Sequence, residues 1–90
     1  MNQYITEDQF NEVSIEKQER FYKEIGIDPI HYTAPVIGQM VEFLYKFTTV
    51  TIESEERESP NFGWTINGLY SSGDLATALW LCVKDVLKTI

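Results

Sequence analysis

Residues 48–68 read TTVTIESEERESPNFGWTING, and the fold turns on how this stretch is divided. Two segments alternate with period two. Val50 and Ile52 fall on one side of Thr48–Ile52, with Thr49 and Thr51 on the other; Phe62, Trp64 and Ile66 alternate with Gly63, Thr65 and Asn67. Alternation with β-branched and aromatic residues is the strand signal. Ser59-Pro60-Asn61 between them is turn chemistry. The segment therefore predicts an antiparallel hairpin whose wet tip is Glu53-Ser54-Glu55-Glu56-Arg57-Glu58. Two strands alone are marginal in water, so one face of the hairpin must lie on helices.

Three helical regions supply that cover. Thr6 with Gln9 three residues on is a capping-box pattern. Ser14 offers a second start, so residues 6–25 divide into one or two helices. Phe10, Phe21 and Ile25 share a side, flanked by Ile15 and Tyr22. Glu16 before Arg20 and Glu19 before Lys23 are i,i+4 pairs. Gly26, followed by Ile-Asp-Pro, marks the stop. Residues 27–34 form a connection with room for a third short strand.

Pro35 suits a first helical turn, with Thr33 or Ala34 as the cap. The helix that follows, 36–47, carries Ile37, Met40, Val41, Leu44 and Phe47, widened by Val36, Phe43 and Tyr45. So broad a stripe implies more than one neighbour and predicts the central helix, with Gly38 a place for close backbone approach. Ser72 or Asp74 caps a last helix, 74–89, with Leu75, Ala78, Leu79, Cys82, Val83, Val86, Leu87 and Ile90 at i, i+3, i+4 spacing. Trp80 lies at the stripe's edge, and Leu81 points nearly opposite it without apolar company. The expected fold is α+β, one domain over 1–90, in the order α-α-β-β-α.

The 90 residues carry a net charge of −7. Its imbalance sits in residues 1–28 and in 53–58; elsewhere acids and bases cancel. With no Lys/Arg cluster, direct binding of nucleic acid or anionic lipid is disfavoured. No apolar run reaches the ~18 residues of a membrane span, and the N-terminus lacks a signal-peptide pattern. The single cysteine, Cys82, excludes an internal disulfide. A soluble cytoplasmic protein is the expectation.

Chemistry-bearing residues are sparse. His31 is the only histidine and has only Asp28 near it in sequence, short of what a metal requires. Cys82 lies mid-stripe without an activating cation. Ser71-Ser72-Gly73-Asp74 has neither the base of a nucleophilic serine nor the glycines and lysine of a phosphate loop. The acids at 53–58 do not match a calcium loop. No enzyme activity, cofactor or metal is expected. The candidate interaction residues are Glu53, Glu55, Glu56 and Glu58, as an acidic surface for a basic partner, and Trp80 and Leu81, as an apolar one.

Three stretches carry a resemblance: ITEDQF (5–10), IGQMVEFL (37–44) and DLATALWLCVKDVL (74–87). In that order they resemble small proteins of phages and prophages of Firmicutes, whose pattern is longer than this chain between residues 26 and 35. The resemblance implies a mobile-element setting and assigns no activity or site residue. The resulting expectation is a non-enzymatic protein-interaction module that binds or inhibits a host or phage protein. The alternatives are a homodimeric structural or accessory protein and an acidic DNA mimic of the anti-CRISPR kind.

Overall fold

A computed structural model describes residues 3–27, 33–56 and 62–90. Four helices and a three-stranded antiparallel sheet follow in the order α1 (Glu7–Phe10), α2 (Ile15–Glu24), α3 (Ile37–Tyr45), β1 (Ile52–Glu56), β2 (Phe62–Ile66), β3 (Tyr70–Ser72) and α4 (Leu75–Thr89). This is the α+β class that the sequence predicts. Asp28, His31 and the rest of 28–32, with Arg57, Glu58 and the Ser59-Pro60-Asn61 turn, lie outside the described residues.

Local chemistry explains the N-terminal third. Thr6 Oγ1 accepts from the Gln9 N–H while the Thr6 N–H donates to Gln9 Oε1, closing the capping box of α1. Ser14 Oγ accepts from the Lys17 N–H and starts α2, so the region is two helices. The turn between them is tied by Gln18. Its buried amide donates to the Phe10 carbonyl at 3.0 Å and to Asn11 Oδ1 at 3.2 Å. At the C-terminus of α2, Gly26 has φ +75°. There the Gly26 and Ile27 N–H groups reach the carbonyls of Lys23 and Tyr22, a Schellman ending. Arg20 pairs forward with Glu24 at 2.7 Å, whereas the sequence pairs it with Glu16.

Two expectations for α3 are corrected. Val36, not Thr33 or Ala34, is the N-cap; its N–H donates to Gln39 Oε1, and Pro35 stands one residue outside. A Cβ added at Gly38 would meet nothing within 4 Å, so this glycine serves no close approach.

The sheet departs from the expected register. Thr48–Thr51 do not form a strand; β1 begins at Ile52 and runs through Glu53, Ser54, Glu55 and Glu56. It pairs Ile52 with Ile66 and continues to Glu56 opposite Phe62. Most of the acidic cluster is thus strand, not tip. The backbone ladder with β2 needs no particular side chain, and the sheet order β1-β2-β3 leaves β1 an edge where charge stays solvated.

The third strand is Tyr70–Ser72, in a segment whose sequence predicts only turn and cap. Asn67 and Gly68 both have positive φ, 54° and 70°, and the Leu69 N–H donates to the Ile66 carbonyl. That is the type I′ signature. Asn67 also closes the end of β1, exchanging two hydrogen bonds with Thr51 through its N–H and its Oδ1.

The hub of the molecule is α4, not α3. It packs against α2, α3, β2 and β3. Seven of its residues are buried: Ala76, Ala78, Leu79, Trp80, Cys82, Val83 and Leu87. They meet Met40, Phe43 and Leu44 from α3, Phe21 and Tyr22 from α2, Phe10 from α1 and Ile66 from β2 in one core. The breadth of the α3 stripe overstates its burial: Val36, Tyr45 and Phe47 are exposed.

Candidate functional site

The surface of α4 is divided among its neighbours. At ~100° per residue, Thr77, Trp80 and Lys84 fall on one flank and Asp85 about a quarter-turn round from them. The first flank is held by the N-terminal third. Gln9 Nε2 donates to Thr77 Oγ1 at 3.0 Å. Glu12 Oε1 accepts from Trp80 Nε1 at 3.1 Å and from Lys84 Nζ at 3.4 Å. The second flank is held by β3, where the Tyr70 hydroxyl donates to Asp85 Oδ2.

Between these flanks runs an uncovered strip bearing Leu81 and Lys88. The β2–β3 turn overhangs it and carries Leu69, which at 77% is the most exposed large hydrophobic residue among those described. Leu69, Tyr70, Ser71, Leu81, Lys84, Asp85 and Lys88 line an open groove of about 480 Å³. The turn fixes this geometry. The tight reversal at Asn67 and Gly68 leads directly into Leu69, which lines the groove beside α4. Leu81 therefore shares this open groove with Leu69, from a turn 12 residues earlier.

Trp80 is not part of this surface. Only 1% exposed, it packs edge-on against Phe10 with ring centroids 5.8 Å apart, and its one polar atom is bound by Glu12. A tryptophan buried in this way is a strut between α4 and α1.

The acidic candidates lie elsewhere. Glu53 and Ser54 are exposed on β1, and the backbone of Glu55 and Glu56 continues the strand. Because Tyr70 and Ser71 on β3 line the groove, β1 is the sheet edge farthest from it. Of the acids in the N-terminal third, Glu12 lies against the other flank of α4, on Trp80 and Lys84. Glu58 falls outside the described residues.

Titration follows from these contacts. The hydrogen bond to Asp85 pushes the Tyr70 phenol up to about 12, because ionising it would set a phenolate against a carboxylate. Burial pushes the Cys82 thiol up to about 11, away from a reactive thiolate. Burial also raises Tyr22, whose hydroxyl donates to the Thr33 carbonyl. No group of three or more His, Cys, Asp or Glu among the described residues could hold a metal ion. No described helix is long and apolar enough to cross a membrane.

Comparison of the chain with protein-family models, curated proteins and solved structures found no match.

Proposed function

We propose that the protein is a non-enzymatic interaction module that engages a protein partner through the groove between α4 and the β2–β3 turn. The observation that carries this reading is Leu69. An aliphatic side chain 77% exposed is presented by a tight turn and lines one groove with a second aliphatic, Leu81, and an aromatic, Tyr70, with charged groups around them. An apolar centre with a polar rim is the anatomy of a binding hot spot. The Asn67–Gly68 turn pre-sets the conformation, so little ordering entropy opposes binding. The three-helix resemblance to small phage and prophage proteins supports a setting in which such a module binds or inhibits a host or phage protein.

The test is affinity capture from the native cell with the wild-type chain and with Leu69→Glu, both checked for thermal stability. Leu69 contributes little to the core, so the variant is expected to melt within a few degrees of wild type while its partner is lost. A partner retained equally by Leu69→Glu would remove the groove from the account.

A further inference from the structure

We propose that Asn67 is a latent modification site: its bonds to Thr51 keep its carboxamide from the Gly68 nitrogen, and opening at the start of β1 lets the pair cyclise and lose ammonia. Asparagine followed by glycine is the dipeptide in which this reaction is least hindered, because glycine carries no side chain beside the attacking nitrogen. The chain has one such pair, Asn67-Gly68. It lies in the turn that carries Leu69, with Asn67 half-buried and Gly68 exposed.

The reaction needs a geometry that the turn withholds. A five-membered ring closes only when Asn67 Cβ and the Gly68 nitrogen come to the same side of the Asn67 Cα–C bond. Asn67 has φ 54°. At the first central position of a type I′ turn ψ is about +30°, which sets Cβ and the next nitrogen about 150° apart, nearly opposite each other. The side chain is tied as well. Its Oδ1 accepts from the Thr51 N–H at 2.7 Å, while the Asn67 N–H donates to the Thr51 carbonyl at 2.9 Å. Rotating ψ into the reactive range breaks the bond from the Leu69 N–H to the Ile66 carbonyl, and swinging the carboxamide round breaks the bond to Thr51. The clasp closes onto the start of an edge strand, where Thr51 and Ile52 are exposed, and local opening favours such places.

Once the clasp is open, the chemistry needs only water. The Gly68 amide gives up its proton to base, and its nitrogen attacks Asn67 Cγ. The Cγ–Nδ2 bond breaks, and Nδ2 takes up a proton and leaves as ammonia. Water then opens the succinimide at either carbonyl. Attack at Cγ restores the main chain and leaves aspartate, whose carboxylate can still accept from the Thr51 N–H. Attack at the main-chain carbonyl leaves isoaspartate, with the chain rerouted through Cβ and Cγ. A turn built on two consecutive positive-φ residues does not survive that insertion, so isoaspartate undoes the presentation of Leu69, whatever the groove binds.

The test incubates the full-length chain in mildly alkaline buffer at physiological temperature, folded and in urea. Mass spectrometry of the fragment containing Asn67 follows the replacement of NH2 by OH. The reaction is expected at Asn67, and at least about tenfold slower in the folded chain than in urea. Thr51→Pro, which removes the N–H donor, should raise the folded rate severalfold at an unchanged circular dichroism spectrum. Should that variant not fold, the wild-type chain decides: below its unfolding transition, added urea should raise the Asn67 rate in step with hydrogen exchange at the Thr51 amide. The isolated isoaspartyl chain should lose exchange protection at the Leu69 N–H, whereas Asn67→Asp should keep it. A folded chain modified as fast as the urea-unfolded one, or faster at another asparagine, overturns the inference. So do a folded Thr51→Pro variant that reacts at the wild-type rate and an Asn67 rate that does not follow Thr51 exchange. An isoaspartyl chain that keeps Leu69 protected overturns the consequence drawn for the turn. None of these outcomes bears on partner capture by the groove, which Leu69→Glu tests separately.

Discussion

Trp80→Phe separates a strut from a contact residue. The indole is 1% exposed, stacked edge-on against Phe10 and bonded to Glu12. Aromatic side chains bury ~150–250 Å², so the area lost from Trp to Phe is on the order of 50 Å², or about 1 kcal/mol at ~25 cal/mol/Å². The cavity left behind adds to this because the surroundings relax only in part. The hydrogen bond to Glu12 is charge-assisted, but Glu12 stays half-exposed and keeps Lys84, so its loss adds roughly 0.5–1 kcal/mol. The total is about 2 kcal/mol, against ~5–14 kcal/mol for a domain of this size. At ~4–8 °C per kcal/mol, thermal unfolding followed by far-ultraviolet circular dichroism should shift down by roughly 8–16 °C. Leu81→Ala, at a half-buried position on the rim, should shift it by less than half as much. A Trp80→Phe variant melting within about 3 °C of wild type would refute the assignment of Trp80 to the core.

Other consequences follow from single sites. Gly38→Ala should stabilise the protein by up to about 1 kcal/mol in urea titration, since the added methyl meets open space within the first turn of α3. Alkaline stability should fall in a defined window. The Tyr70 phenol is raised from 10.0 to about 12 and the Cys82 thiol from 9.0 to about 11. Because both folded values are raised, this stabilisation is fully present below pH 9 and is lost as pH rises from 9 to 12. Tyr70→Phe should flatten the upper part of that limb and leave the Cys82 part, as read from the midpoint of urea unfolding at each pH.

Much of the fold was legible because its signals are local. The Thr6–Gln9 capping box, the Ser14 cap, the Gly26 ending and the apolar stripe of α4 each depend on residues within a few positions of one another. The sheet was less so. Thr48–Ile52 alternates in residues that favour strands, yet strand formation belongs to Ile52–Glu56, because the ladder with Phe62–Ile66 is set by backbone register and the edge tolerates charge. Asn67-Gly68 is among the strongest hairpin signals a sequence holds. It lies between Ile66 and Leu69, but the alternation that runs from Phe62 through Asn67 absorbs it into the end of a strand and hides both β3 and the groove. The rank of α3 and α4 could not be read from stripe width, since breadth says how much surface is apolar and not what covers it. For the same reason Trp80 and Leu81, neighbours in sequence, exchange meaning: one is sealed by Phe10 and Glu12, the other lines an open groove.

The most direct measurement compares two damaged surfaces in one capture experiment: Leu69→Glu on the groove, and Glu53→Gln, Glu55→Gln and Glu56→Gln together on β1, each matched to wild type in melting temperature. The account predicts that the partner is lost with Leu69→Glu and retained by the β1 variant. Loss on the β1 variant with retention by Leu69→Glu would contradict it and place the binding surface on the acidic edge strand.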